Sequence, residues 1–176
     1  MDPASYSTTE RLRNGASVQI RALRPSDRAE MLAAVGRSSK ETLYRRFFAP
    51  KRYFSEREID FFLNVDFRNH VALAAVLSED GRPIIVGGAR YIVTEPSRAE
   101  VAFAIDDPHQ KLGIATHLIT HLIAIGRAAP LKEFVAEVLP ENVPMLKVFE
   151  RCGLAMVTRS ERGAVHVTLE LTNAVV

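Results

Sequence analysis

The stretch Glu100-Val-Ala-Phe-Ala-Ile-Asp-Asp-Pro-His-Gln-Lys-Leu-Gly-Ile-Ala-Thr-His-Leu-Ile119 contains two hydrophobic periods, one after the other. Up to Ile105 the period is two. Val101, Phe103 and Ile105 share one face, and Glu100, Ala102 and Ala104 share the other, as in a strand. After Asp106-Asp107-Pro108, Ala115, Leu118, Ile119 and Leu122 recur at three- and four-residue steps, marking one side of a helix. Between the two lies Gln110-Lys111-Leu112-Gly113-Ile114-Ala115. Its small residues, Gly113 and Ala115, fall where a helix begins and its first N–H groups lack intrahelical partners. A helix start carries partial positive charge, and one without side-chain bulk suits a phosphate or pyrophosphate. Taken alone, the glycine reads more simply as a tight-turn residue. The rest of the chain has to decide.

Upstream, Ile84 to Val93 forms a strand joined to the first through Glu95-Pro96-Ser97. Gly87-Gly88 within it marks a bulge or a close backbone approach. Past the Glu79-Asp80-Gly81 turn, Val71 to Leu77 is apolar enough to be buried on both faces. Three short helices precede it, capped by Asp27-x-x-Glu30, Ser38-x-x-Glu41 and Ser55-x-x-Glu58. Val18, Ile20 and Ala22 form a strand ahead of Pro25, and the polar residues 1–14 read as a flexible arm. Downstream, Phe134 to Leu139 is a strand. Asn142 then caps a helix that turns Met145, Val148, Phe149 and Cys152 inward, and Gly153 ends it. Alternation from Val165 to Leu171 gives a last strand after the Glu161-Arg162-Gly163 turn. The order is β-α-α-α-β-β-β-α-β-α-β-β. It predicts an α/β chain of the α+β kind: a single domain over residues 15–176, built on a central, mostly antiparallel mixed sheet with helices on both faces.

Composition narrows the function classes. Hydrophobic residues make up 47% and charged residues 25%, a folded rather than a disordered profile. A net charge of +2 gives no general case for nucleic acid or a membrane as partner. No apolar run approaches the roughly 20 residues of a membrane helix. Met-Asp-Pro-Ala-Ser-Tyr-Ser at the start has neither the basic end nor the apolar core of a signal peptide, so a cytoplasmic location is expected. The single cysteine excludes a disulfide framework and a multi-cysteine metal site.

The order of elements and the motifs together resemble the GNAT superfamily of acetyl-CoA-dependent N-acetyltransferases. Gln110-Lys111-Leu112-Gly113-Ile114-Ala115 fits that family's phosphate signature between strand and long helix, Asn142 matches its asparagine at the last helix, and Gly153-Leu154 matches its helix-ending pair. The resemblance spans roughly residues 18–171. Ile20-Arg21-Ala22-Leu23-Arg24-Pro25, Leu43-Tyr44-Arg45-Arg46-Phe47-Phe48 and Glu137-Val138-Leu139-Pro140-Glu141-Asn142 narrow it to the acetyltransferase domain of bacterial protein lysine acetyltransferases. Some of those enzymes carry a nucleotide-binding regulatory domain, and none is expected within these 176 residues.

The resemblance implies acetyl-CoA as co-substrate, no metal, and direct transfer to an amine. The implied acceptor is a protein lysine, for example that of an acyl-CoA synthetase. A cofactor site is implied at Phe103, Ala104, Ile105, Gln110, Lys111, Leu112, Gly113, Ile114, Ala115, Thr116, Asn142 and Phe149. An amine attacks only as the neutral base, and a lysine with its reference pKa near 10.4 needs a carboxylate to take its proton. Glu100 matches the family's base position, and Glu137 on the next strand is the second candidate. Backbone N–H groups around Ala104 and Ile105 would meet the oxyanion.

Two departures stand out. Phe149 occupies the place where many members carry a proton-donating tyrosine, which the lysine acetyltransferases often lack too. The phosphate loop shows Lys111 and Leu112 where glycine with arginine or lysine is usual. A small-molecule amine acetyltransferase and a silent acyl-CoA-binding or sensor module therefore stay open beside the lysine reading, as does a homodimer.

The remaining polar features read as structure. His117 and His121 stand one helical turn apart without a third ligand, so they read as a solvated helix face rather than a metal site. Cys152 reads as a small core hydrophobe. The basic run Arg37, Lys40, Arg45, Arg46, Lys51, Arg52 and Arg57 reads as a solvated face, or as one meeting cofactor phosphate or an acidic protein surface.

Overall fold

The computed structural model describes residues 1–51 and 53–172. Strands β1 (Ser7–Arg11), β2 (Ser17–Ala22), β3 (His70–Glu79), β4 (Arg82–Glu95), β5 (Arg98–Ile105), β6 (Glu133–Val138), β7 (Ala155–Glu161) and β8 (Ala164–Glu170) form one open sheet. Their order is β1-β2-β3-β4-β5-β6-β8-β7. Every neighbouring pair is antiparallel except β5 and β6. Helices α1 (Arg28–Gly36), α2 (Lys40–Phe47), α3 (Glu56–Leu63), α4 (Ile114–Ala128) and α5 (Val143–Glu150) complete the fold. The mixed sheet covered on both faces is the one the alternating periods predict.

The continuous apolar run of β3 shows how the two layers arise. Val71, Leu73 and Ala75 join the core under α4, with Leu118, Ile119 and Leu122. Ala72, Ala74 and Val76 face the other way, toward Ile59 and Leu63 of α3 and Met31 and Leu32 of α1. The glycine pair in β4 serves close approach and a bulge together. A register shift faces Ala75 with Gly87 and Val76 with Ile85, so Val86 is the extra residue. A Cβ on Gly87 would stand 2.6 Å from Ile105 Cδ1 and 2.8 Å from the Ala104 carbonyl oxygen.

Four expectations are corrected. Residues 1–14 are not a loose arm: β1 pairs with β2 from Ser7↔Arg21 to Arg11↔Ser17, so the sheet gains a strand at its start. Its residues are polar because β1 is an edge strand. Asp27 does not cap α1 with its side chain. Its carboxylate takes two hydrogen bonds from Arg21 at 2.8 Å and one from the Arg24 N–H at 2.7 Å, a buried pair beside a 3₁₀ turn. The second capping residue is Ser39, whose hydroxyl accepts from Thr42 N–H, while the Ser38 hydroxyl donates to Ala34. Ser55 and Glu58 do form the reciprocal box expected of them. Finally, His117 and His121 are not left to solvent. Glu10 of β1 lies against both, and the Tyr6 hydroxyl is hydrogen-bonded to His121 Nδ1.

The basic run does not form a single solvated face either. Arg37 donates to Asp106 and Arg46 turns into a pocket, while Lys40 and Arg57 are exposed and Lys51 pairs with Glu58. Arg52 lies outside the described residues.

Candidate active site

Parallel strands β5 and β6 pair only at Arg98↔Glu133, Ala99↔Phe134 and Glu100↔Val135. Beyond Glu100 they diverge, and a groove of about 1060 Å³ opens between them. This wedge leaves the β6-facing edge of β5 without a strand partner. Asp106 N–H bonds the Val86 carbonyl on β4, while the Ile105 carbonyl accepts from Gln110 Nε2 on the other side. Strand alternation then turns the N–H groups of Ile105 and Phe103, not that of Ala104, toward the open edge.

At one end of the groove stands the loop before α4. Lys111 (φ 65°) and Gly113 (φ 92°) both adopt left-handed backbone, and Gly113 is the N-cap of α4 with no side chain to cover its N–H groups. Such a conformation favours glycine, so the turn-residue reading and the anion-site reading describe the same atom. Gln110 braces this loop: its amide donates to the Thr42 hydroxyl and the Ile105 carbonyl, both at 3.1 Å. Ser39 N–H donates to Asp107 Oδ1 at 2.8 Å, and Arg37 donates to Asp106 at 2.7 Å. The loop is thereby fastened to the start of α2. Asn142 caps α5 from the far wall, its side chain accepting from Met145 N–H at 3.4 Å.

All the sequence-predicted site residues line this groove except Leu112. Leu112 packs into the main core instead, and only its carbonyl is used, accepting from Arg13 N–H at 3.2 Å. Glu100 is exposed on the α1/α2 face of β5, next to Arg46. Burial pushes the Arg46 guanidinium below its ordinary pKa, and the Glu100 carboxylate offsets part of that. Glu137 also reaches the groove but lies 3.4 Å from His166 Nδ1 on β8. Phe149 is buried edge-on against Phe103, ring centroids 5.7 Å apart.

Sequence reasoning missed Arg13. It sits at the tip of the β1–β2 hairpin, lines the groove, and donates from Nη1 to the Lys111 carbonyl at 3.4 Å. The signal was available: Asn14-Gly15 is a strong turn dipeptide, and Gly15 has φ 85°. Arg13, Arg45, Arg46, Lys111, Lys147 and Arg151 all line the groove, against the two carboxylates of Glu100 and Glu137. Arg45 Nε is buried there without a hydrogen-bond partner. The small net charge of the chain thus conceals a concentrated basic groove, which fits a polyanionic cofactor. Among the described residues no group of three or more His, Cys, Asp or Glu could hold a metal ion. No described helix is long and apolar enough to cross a membrane.

Residues 17–155 match the family described as acetyltransferase (GNAT) domain. The chain belongs to the GNAT acetyltransferase family. Within that family this GNAT chain is 28% identical over 162 residues to acetyltransferase Pat of Mycolicibacterium smegmatis, covering 91% of its own length and 47% of that protein. It is 34% identical over 119 residues to acetyltransferase PA5475 of Pseudomonas aeruginosa, covering 67% of itself and 64% of that protein. The chain therefore spans about half of one curated relative and somewhat under two thirds of the other. Among solved structures it resembles the GNAT domain of S. lividans PAT, with 32% identity and a TM-score of 0.83 over 93% of this chain and 96% of that one.

Proposed function

We propose that this chain transfers the acetyl group of acetyl-CoA to an amine, and that the amine is the side chain of a protein lysine, as in an acyl-CoA synthetase. The observation that carries this reading is the wedge between β5 and β6, basic at the α4 loop and carrying Glu100 at its narrow end. A pyrophosphate would be held by the bare N–H groups of α4 with Lys111 and Arg13 beside them. The thioester carbonyl would meet the Ile105 and Phe103 N–H groups. As the amine nitrogen forms its bond to the carbonyl carbon, Glu100 takes a proton from it, and the carbon–sulfur bond breaks to release CoA. Phe149 has no proton to give, so the thiolate takes its proton from water, and Glu100 returns the proton it has taken to the solvent. Glu100 is favoured over Glu137 because Glu137 already faces His166 across the β6–β8 ladder. The lysine acceptor is supported by the motifs shared with protein lysine acetyltransferases and by the likeness to the S. lividans PAT domain.

The test is incubation with acetyl-CoA and a panel of proteins, including acyl-CoA synthetases, beside small amines, read by mass spectrometry. Acetylated protein lysine is expected. Glu100→Gln should then lower kcat by roughly a hundredfold with little change in acetyl-CoA affinity. Transfer to small amines alone would overturn the lysine acceptor, and transfer to nothing would overturn the enzyme reading.

A further inference from the structure

On the α1/α2 face of the sheet the groove continues into a side pocket of about 120 Å³. Its walls are largely carbon, from Leu32, Phe47, Phe54 and Phe62, with Gly87 and Gly88 on the sheet side. Most polar groups that reach it are already engaged. Ser38 donates to Ala34, the Thr42 hydroxyl accepts from Gln110, and Asp106 holds Arg37 and His109. Two guanidiniums remain, those of Arg46 and Arg90.

Arg90 projects from β4 on the same face as Glu100, being paired with Ala102 while Glu100 lies two residues along β5. One of its nitrogens, Nη1, donates to the Phe62 carbonyl at 3.1 Å and to His70 Nε2 at 2.9 Å. Both acceptors are neutral, since burial and Arg90 itself pull His70 down to about 4. Arg46 lines both the side pocket and the groove. Among the described residues no carboxylate lies within 4.0 Å of either guanidinium. Each stacks on a phenylalanine, Arg46 4.7 Å from the Phe47 centroid and Arg90 4.8 Å from that of Phe62. Stacking fixes the planes but does not neutralise the charges. Burial lowers the pKa of both, and Arg46 lowers that of Arg90 further.

Two neighbouring cations in an apolar recess repel each other, and the Glu100 carboxylate near Arg46 offsets only part of the cost, leaving room for a second anion. The planar fork of each guanidinium matches a carboxylate, and the carbon walls suit a short methylene stem. We propose that Arg46 and Arg90 form the receiving site for a carboxylate, borne either on the acyl chain of the donor or on the acceptor beside its amine. This rests on the acetyltransferase reading above and names a substrate class for it. A carboxylate bound there would also lie near Glu100, so the recess selects what stands next to the reacting carbon without itself taking part in proton transfer.

The experiment has two arms. In the donor arm, calorimetry compares acetyl-CoA with succinyl-CoA on the wild-type chain. In the acceptor arm, acetyl transfer is compared between a lysine peptide with Glu beside the lysine and the same peptide with Gln. A preference of about tenfold for the carboxylate-bearing member is expected in one arm, which identifies its source. In Arg46→Gln and Arg90→Gln that ratio should fall toward one, and Arg46→Lys should retain part of it. Equal values in both arms would overturn the proposal, as would a preference that survives both glutamine substitutions. The wild-type ratios decide even if a variant fails to fold. Absence of acetyl-CoA binding would instead strike the underlying reading.

Discussion

Arg37 at the end of α1 donates from Nε to Oδ2 of Asp106, at 2.7 Å, and the Asp106 side chain has no exposed surface. The same guanidinium reaches the Ile85 carbonyl at 2.5 Å, and His109 donates to the other carboxylate oxygen at 2.6 Å. One buried acid therefore joins the helices of one face to the loop that leads into α4. Asp106→Ala takes the carboxylate from Arg37, which stays partly exposed and keeps its bond to the Ile85 carbonyl, and should destabilise the fold by about 2 kcal/mol. Urea denaturation of Asp106→Ala, Arg37→Ala and the double variant provides the check: the two losses should not add.

Gly113→Glu should abolish acetyl-CoA binding. The backbone at φ 92° disfavours any side chain, at a cost of about 1 kcal/mol, and the carboxylate would meet the bound pyrophosphate. Among the described residues beyond its chain neighbours, a new Cβ would meet only Arg13, with Nε at 3.5 Å, so the fold itself has room. Wild-type affinity in a folded variant, measured by calorimetry, would falsify the loop assignment.

Arg13→Gln tests the cation that the β1–β2 hairpin adds to the loop's own Lys111. Acetyl-CoA affinity should fall roughly tenfold, the scale of one charge-assisted contact, and the difference from wild type should shrink as salt rises. A loss that does not depend on salt would mean that the residue acts only through its hydrogen bond to Lys111.

The order of elements was legible because each helix and strand carries its own period and its own stops. Val101 to Ile105 and Ala115 to Leu122 needed no tertiary information. What escaped was what one element does for another. Ser7 to Arg11 looks like a polar tail because only an edge strand can be so polar, and its pairing with β2 is invisible in local hydrophobicity. Arg46 and Arg90 lie 44 residues apart by number and meet only because α2 lies along β5 beside β4. The same distance effect hid Arg13 beside Gly113. Leu112 misled in the opposite way: it sits within a motif whose neighbours face the groove, yet it is an apolar side chain beside a core and takes that place.

Acid should weaken this fold before it reaches the carboxylate range. His70, ordinarily near 6.5, is pulled to about 4 by burial first and Arg90 second, with Asp66 opposing. Between those values the unfolded chain binds a proton that the folded one does not, so stability present above pH 6.5 is lost as pH falls toward 4. From pH 7.5 to 5 the loss should reach about 2 kcal/mol. Denaturant midpoints across that range, compared with those of His70→Gln, isolate it: the variant should lose less. Parallel slopes would show that His70 is not the group responsible.

The hairpin that brings Arg13 to the cofactor loop also covers the edge of β2, since β1 pairs along β2 and its Glu10 lies against the histidines of α4. Peeling it back would bare a strand edge that invites other chains. A ligand gripping Arg13 resists that peeling by mass action, so substrate supply and self-association become linked quantities. A cell poor in acetyl-CoA would hold this protein in the state most prone to stick to itself.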